Sequence, residues 1–289
     1  MKAKTIKKVL RAKIDEWLAS IEDERIRKLA ADQSIVTGGA IASMLLNEAV
    51  NDYDVYFKSR DAAFSIAEYY VARFAQSASH GIKVQIEDDG RIRIVTKNGY
   101  RGETAGDVTT LQDSGEIEDT FEETEAIALA DDGKPKYRPV FLSTNAITLS
   151  QKVQLILRFY GEPDAIHENY DFVHCTNYWC SWNSELTLRQ DALESLLARE
   201  LRYVGSKYPV CSVMRLRKFI KRNWTINAGQ ILKMCMQISE LDLTDPKVLE
   251  DQLTGVDSAY FMQVMQRLNE KDPEKVNAAY LVEIIDRMF

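Results

Sequence analysis

The sequence predicts an α+β protein, with a mixed-sheet α/β domain over residues 1–185 followed by an all-helical domain over residues 186–289. Two observations carry this reading. In the first part, amphipathic helical stretches alternate with short runs of period-two, β-prone residues, whereas after Leu186 nearly every stretch has helical spacing. A chain of 289 residues with 45% hydrophobic and 28% charged residues is also long enough to bury substantial cores without disulfides or metals.

Residues 3–33 read as two helices, because Ile6, Val9, Leu10, Ile14 and Leu18, then Ile21, Ile26 and Leu29, recur every three or four positions. Ser34–Thr37 is a short strand, broken by Gly38-Gly39 into a helix over Ala40–Asn47. Asp52–Phe57 alternates Tyr53, Val55 and Phe57 with Asp52, Asp54 and Tyr56, which is strand periodicity. Arg60–Ala78 is the next helix, and Ile82–Glu87 with Arg91–Thr96 form a hairpin around Asp88-Asp89-Gly90. From about residue 100 to 138 periodicity gives way to acids, glycines and threonines, the signature of an inserted loop. Order resumes at Pro139–Leu142. A helix over Ser150–Tyr160 follows, then an acidic turn at Asp164–Glu168 and a β-prone run over Tyr170–Tyr178. The later helices are Leu188–Leu201, Cys211–Asn223, Asn227–Leu241, Asp257–Leu268 and Pro273–Met288.

No apolar run approaches the roughly 18–20 residues of a membrane helix, and the N-terminal stretch is interrupted by Lys13, Asp15 and Glu16, so no membrane partner and a cytoplasmic location are expected. Cys175, Cys180, Cys211 and Cys235 match neither a zinc nor a redox spacing. His174 beside Cys175 lacks a second ligand pair, which argues against zinc there. The net charge of −7 is unevenly spread. Gly102–Gly133 carries eleven acids and no Lys or Arg, while Arg199–Arg222 holds eight basic residues against Glu200 alone.

One constellation carries chemistry. Two glycines entering a helix allow close backbone approach to a ligand, and the first-turn amides favour phosphate. After Gly39 and twelve intervening residues, Asp52 and Asp54 project from one face of a strand, a carboxylate pair suited to Mg²⁺ or Mn²⁺ with substrate phosphates in the remaining positions. A third carboxylate would complete a two-metal site, and Asp171, an acid between Tyr170 and Phe172, is the candidate. A solvated strand edge is the alternative for Asp52 and Asp54, and Glu162, Asp164 and Glu168 compete with Asp171.

This pattern of a glycine pair, a helix, an acid–apolar–acid strand and a later lone acid resembles the polymerase-beta-like nucleotidyltransferase superfamily, which includes CCA-adding enzymes and poly(A) polymerases, over residues 34–180. The resemblance implies transfer of a nucleoside monophosphate from a nucleoside triphosphate to a hydroxyl acceptor. It assigns Asp52, Asp54 and Asp171 as catalytic and metal-binding, and Gly38, Gly39 and Ser43 as phosphate-binding. Thr37 stands where that family usually has an apolar residue.

Lys207 and Tyr208 are triphosphate contacts by position. Arg215, Lys218 and Arg222 form a stripe on the Cys211–Asn223 helix. That stripe is either a solvated face or a phosphate-binding wall, and the second reading points to an RNA acceptor such as a tRNA 3′ end. A protein or small-molecule acceptor and a non-catalytic binding protein are the other readings. Among Tyr170, Phe172, Tyr178, Trp179 and Trp182, base stacking falls to Tyr178 or Trp179. The sequence does not select the triphosphate or the number of subunits.

Overall fold

A computed structural model describes residues 1–77, 83–86, 90–95, 103–104, 135–143, 145–243, 245, 248 and 251–252. Helix α1 (Ala3–Ala19) buries Ile6, Leu10, Ile14 and Trp17 along one stripe. Helix α2 (Glu24–Gln33) starts at Asp23, whose side chain accepts hydrogen bonds from the Arg25 and Ile26 amides. Strand β1 (Ser34–Thr37) leads through Gly38 into α3 (Gly39–Leu46), and β2 (Tyr53–Phe57) returns antiparallel beside β1. Helix α4 (Arg60–Ser77) packs against α2, and the Trp17 indole donates to the Tyr70 hydroxyl at 2.8 Å between α1 and α4.

A separate two-stranded ribbon, β3 (Lys83–Ile86) and β4 (Ile92–Val95), confirms the hairpin strands, while Asp88 and Asp89 of its turn lie outside the described residues. Strands β5 (Glu103–Thr104), β6 (Pro139–Leu142), β7 (Ala146–Leu149), β8 (Val153–Tyr160), β9 (Tyr178–Cys180) and β10 (Leu186–Thr187) complete the main sheet with β1 and β2. Its order is β10-β9-β1-β2-β8-β7-β6-β5, with β2 and β8 parallel and the other neighbours antiparallel. The expected mixed sheet is present. Apart from Glu103 and Thr104, the acidic stretch 102–133 lies outside the described residues.

Two expectations are corrected. Ser150–Tyr160 is not a helix, because Val153–Tyr160 is the strand paired with β2. Val153, Leu155, Ile156 and Leu157 are all fully buried, since both faces of this central strand are covered, and that removes the alternation by which a strand is recognised. Tyr170–Tyr178 is not a continuous strand either. Val173–Cys175 is a 3₁₀ turn, and Phe172 makes only an isolated bridge to Tyr203. Asp171 therefore lies in a connection, anchored where its carbonyl accepts the Val204 amide at 3.0 Å.

The main core lies between the sheet and α1–α4, while Ile35, Tyr56, Ile156 and Cys180 pack on the other face beneath Ile166 of α5 (Pro163–His167). Beyond the sheet come α6 (Gln190–Ala198), α7 (Pro209–Lys221) and α8 (Ala228–Ser239), with a small parallel pair, β11 (Glu200–Leu201) and β12 (Thr225–Ile226). A third cluster, including Ala42, Phe172, Leu196, Trp224 and Met234, joins these helices to α3. The sequence-predicted helices over 257–268 and 273–288 lie outside the described residues.

Two buried histidines lie near these seams. The Thr37 hydroxyl bridges His167 Nε2 at 2.8 Å and the Asn177 carbonyl at 2.9 Å. His174 packs among Phe172, Phe219 and Trp224. Burial, with Arg189 nearby, lowers His167 to about 4. Burial, with Arg222 nearby, lowers His174 to about 3. Both values fall below the ordinary 6.5, so the unfolded chain takes up protons that the folded chain refuses. Their contribution to stability is complete above pH 6.5 and is lost progressively as pH falls through that value towards the folded-state values. Urea denaturation should show a loss of about 1.5 kcal/mol per histidine between pH 6.5 and 5. His174→Phe, which keeps a ring in the same place, should remove one histidine's share of that slope; an unchanged slope would refute the assignment.

The two glycines also separate cleanly. Gly38 has φ +93° and ψ −150°, a region open essentially to glycine alone, and a Cβ there would come within 2.9 Å of Asp54 Oδ2. A Cβ on Gly39 meets nothing within 4 Å. Thermal and urea denaturation should show Gly38→Ala destabilising by about 1–3 kcal/mol and Gly39→Ala near neutral. Equal effects would contradict this geometry.

Candidate functional site

The β1–Gly38–α3–β2 unit places Asp52 and Asp54 beside a helix start. Asp54 is half-buried on β2, with Gln154 of β8 opposite it in register, and Asp52 is exposed just before the strand. The Gly38 amide donates to the Cys175 carbonyl at 3.1 Å, so this amide is committed within the protein and the glycine's part is clearance for the Asp54 carboxylate. That bond also draws the 3₁₀ turn over Val173–Cys175 against the helix start.

A cavity of about 170 Å³ opens there, lined by Gly38, Gly39, Asp52, Asp54, Tyr170, Asp171 and Arg215, with Tyr56, Cys175 and Phe219 among the further walls. Residues far apart in sequence thus meet on one cavity, including all three candidate carboxylates and both glycines. It is smaller than the roughly 300–1,000 Å³ of clefts that enclose a small-molecule ligand. A larger depression of about 620 Å³, between α2, α4 and β3, mixes Asp23, Arg25, Glu68 and Lys83 without a convergent set of one charge.

Asp171 is 7% exposed, and both its oxygens are engaged. Arg215 Nε donates to Oδ2, and Nη2 donates to Oδ1 at 3.2 Å, a two-point fork from α7. Among the described residues no three His, Cys, Asp or Glu side chains are grouped as around a metal ion. Oxygen donors suit a Mg²⁺-class cation, and the Asp52–Asp54 pair on an open wall fits one. In this arrangement each oxygen of Asp171 accepts from the Arg215 guanidinium, while Asp171 still lines the same cavity as Asp52 and Asp54.

The remaining walls are chemically quiet. Burial, with Asp54 and Asp171 adding to it, pushes the Cys175 thiol up to about 12, so it is not a thiolate near neutrality. Burial likewise raises Tyr56 and Tyr170. The Tyr170 hydroxyl is buried beside the Tyr56 and Thr37 side chains, with which it interacts, and it lies 3.6 Å from where a Gly38 Cβ would sit. Sequence reading named Tyr170 only as a stacking candidate, and its polar end at the glycine turn had no sequence signal.

Four residues expected at phosphates are elsewhere. Ser43, Lys207, Tyr208 and Lys218 do not line this cavity. Ser43 is buried within α3, and Tyr208 is buried at the start of α7, its ring 4.2 Å from the Arg158 guanidinium. Lys207 and Lys218 are exposed. Trp179 is fully buried in the main core, and Tyr178 faces Arg189, so neither expected stacking residue lines the cavity.

The basic segment is extensively paired. Glu48 receives Arg199 at 2.8 Å and Arg222 at 3.1 Å, Glu194 receives Arg202 at 3.0 Å, and Asp171 receives Arg215. Glu48 stands in the connection between α3 and Asp52, so its two arginines tie that connection to the helical region.

No helix among the described residues is long and apolar enough to cross a membrane. In comparisons with solved structures, the chain superposes on the Thermotoga maritima CCA-adding enzyme complexed with tRNA with a TM-score of 0.39 and 12% identity, covering 89% of this chain and 53% of that one. The Bacillus stearothermophilus CCA-adding enzyme in complex with CTP gives 0.39 and 11%, covering 84% and 49%. Agreement at this level does not assign an activity. A curated relative, Gabija anti-defense 2 of Bacillus phage SPbetaL7, is 20% identical over 258 residues, which is 89% of this chain and 49% of the relative. The chain thus spans about half the length of the curated relative it matches. The model of the Gabija anti-defense 2 family matches residues 8–199, about two thirds of the sequence, and the chain belongs to that family.

Proposed function

We propose that the protein is a divalent-cation-dependent nucleotidyltransferase that serves to counter the defence its family is named for. The observation that carries this reading is the close approach of Asp54 to Gly38. A strand carboxylate is held against a helix-entry glycine that has no room for a side chain, with Asp52 on the same cavity.

Asp52 and Asp54 would hold the cation, which supplies charge neutralisation at the phosphates. The protein's own groups supply position. The helix entry at Gly39, where nothing lies within 4 Å of a Cβ position, leaves room for a phosphate close to the backbone. Arg215 brings a guanidinium fork to the same cavity. In such a reaction the acceptor hydroxyl attacks the α-phosphorus, the bond to the bridging oxygen breaks, and pyrophosphate leaves with the negative charge while the hydroxyl proton passes to solvent or base. Catalysis of this kind is mainly orientation and electrostatics.

An RNA 3′ end, tRNA above all, is the acceptor suggested by the sequence resemblance. A protein of the opposing defence is the second reading. It is favoured by the name of the relative and by the ion pairs that occupy Arg199, Arg202, Arg215 and Arg222 within the chain.

The test is incubation of the protein with each α-³²P nucleoside triphosphate, Mg²⁺ or Mn²⁺, and separated RNA and protein fractions of a bacterial lysate. Label should enter one fraction, and Asp54→Asn and Asp52→Asn should each lower incorporation by about a hundredfold or more, the scale of losing an electrostatic group at a reacting centre. Thermal stability should be little changed in both variants, because asparagine keeps the size of the side chain and removes one of two neighbouring like charges. Full incorporation by Asp54→Asn would refute the assignment, and the labelled fraction decides between the acceptors.

A further inference from the structure

Asp171 and Arg215 present an unusual combination. They are the most enclosed ion pair facing the candidate cavity, with side chains 6% and 23% exposed, and each is a group that a phosphate-and-cation site would use elsewhere. The Nε/Nη2 fork that grips the two oxygens of Asp171 is the geometry that grips two oxygens of a phosphate. The pair also lines a cavity of about 170 Å³, too small to enclose a whole nucleoside triphosphate.

We propose that Asp171–Arg215 is an exchange latch, in which a polyphosphate entering the cavity takes over the Arg215 fork and thereby releases the Asp171 carboxylate towards Asp52 and Asp54. This rests on the reading of the cavity as a triphosphate and cation site. In the latched state Arg215 neutralises Asp171 and withholds it from cations. In the released state the phosphate replaces the carboxylate on the guanidinium, one charge-assisted pair for another, and the freed carboxylate adds a third acid to the cavity. The two ligands are therefore coupled: phosphate promotes cation binding through Asp171, and cation binding at Asp171 makes Arg215 available to phosphate.

The position of each partner suits this exchange. Asp171 is held by its backbone, through the Val204 amide and the neighbouring Phe172–Tyr203 bridge, so losing the arginine does not set its chain adrift. Arg215 projects from the middle of α7, on a long side chain that can change partner without moving the helix.

The test uses two probes on the full chain. Inorganic tripolyphosphate is titrated calorimetrically in EDTA, and Mn²⁺ alone is titrated by electron paramagnetic resonance. Asp171→Asn should bind tripolyphosphate about tenfold tighter than wild type, because the arginine is no longer held back. That gain should vanish in Asp171→Asn combined with Arg215→Lys, which keeps the charge and removes only the fork, whereas a gain due to lost negative charge alone would persist there. Arg215→Gln should bind Mn²⁺ more tightly than wild type, and adding Asp171→Asn should cancel the increase. Arg215→Lys, which keeps the charge but not the fork, serves if Arg215→Gln melts early, and should also tighten Mn²⁺ binding. A gain in tripolyphosphate binding that survives without Arg215, or Mn²⁺ binding indifferent to Arg215, would overturn the latch. If wild type binds neither probe, or Mn²⁺ binding is unaffected by Asp54→Asn, the underlying reading of the cavity fails instead.

Discussion

An oxygen of Asp54 lies 2.9 Å from where a side chain on residue 38 would begin, and that single clearance constrains much of the surrounding fold. It requires glycine at a backbone conformation that other residues avoid, which in turn sets the angle at which β1 gives way to α3. The same turn sends its amide to the Cys175 carbonyl, pinning the 3₁₀ turn that follows Asp171. Asp54 itself is fixed by the pairing of β2 with β1 on one side and β8 on the other, so the carboxylate cannot retreat by a register slip without exposing Val55. The position of one acid is thus held by the central sheet, the helix entry and a distant connection together.

The parts of this arrangement that were legible in the sequence are local ones. The Gly-Gly break, the alternation over Asp52–Phe57 and the stripe Ile6–Leu10–Ile14 each encode their element within a few neighbouring residues. Strand β8 has the sequence pattern of a helix, because a strand covered on both faces loses its period of two. The aromatic and β-branched neighbours of Asp171 favour extended backbone and suggest a strand, but only Phe172 of that run finds a bridge partner before the chain turns. The meeting of Asp171 with Arg215, 44 positions later, had no local signal, and the arginine's helical spacing made it look like part of a solvated stripe.

Charge shows the same division between composition and geometry. The sequence places eight basic residues between Arg199 and Arg222 and suggests a surface awaiting polyanion. Folding distributes acids among them from three separate elements, Glu48 after α3, Glu194 on α6 and Asp171 before the 3₁₀ turn. Most of these pairs are partly exposed and worth at most about 1 kcal/mol each. Their consequence is therefore less for stability than for recognition: an incoming polyanion meets arginines already engaged, and must displace a carboxylate to reach them. That favours ligands able to offer each guanidinium an equivalent two-oxygen contact over diffuse attraction by net positive charge.

The Asp171–Arg215 pair differs from these surface pairs because it is enclosed. Removing one member of a buried pair strands the other, at a cost of roughly 3–5 kcal/mol, whereas exchanging partners leaves each charge compensated throughout. A phosphate alone would satisfy Arg215 but leave Asp171 facing Asp52 and Asp54 as a third negative charge. A cation alone would satisfy the acids but leave Arg215 without its carboxylate. Only the two together keep both halves neutralised, so the low dielectric of the cavity makes joint occupancy the inexpensive path. On the proposed reading, an electrostatic penalty that would merely stabilise a closed pair in isolation would become, beside two further carboxylates, a device that admits phosphate and cation as a unit.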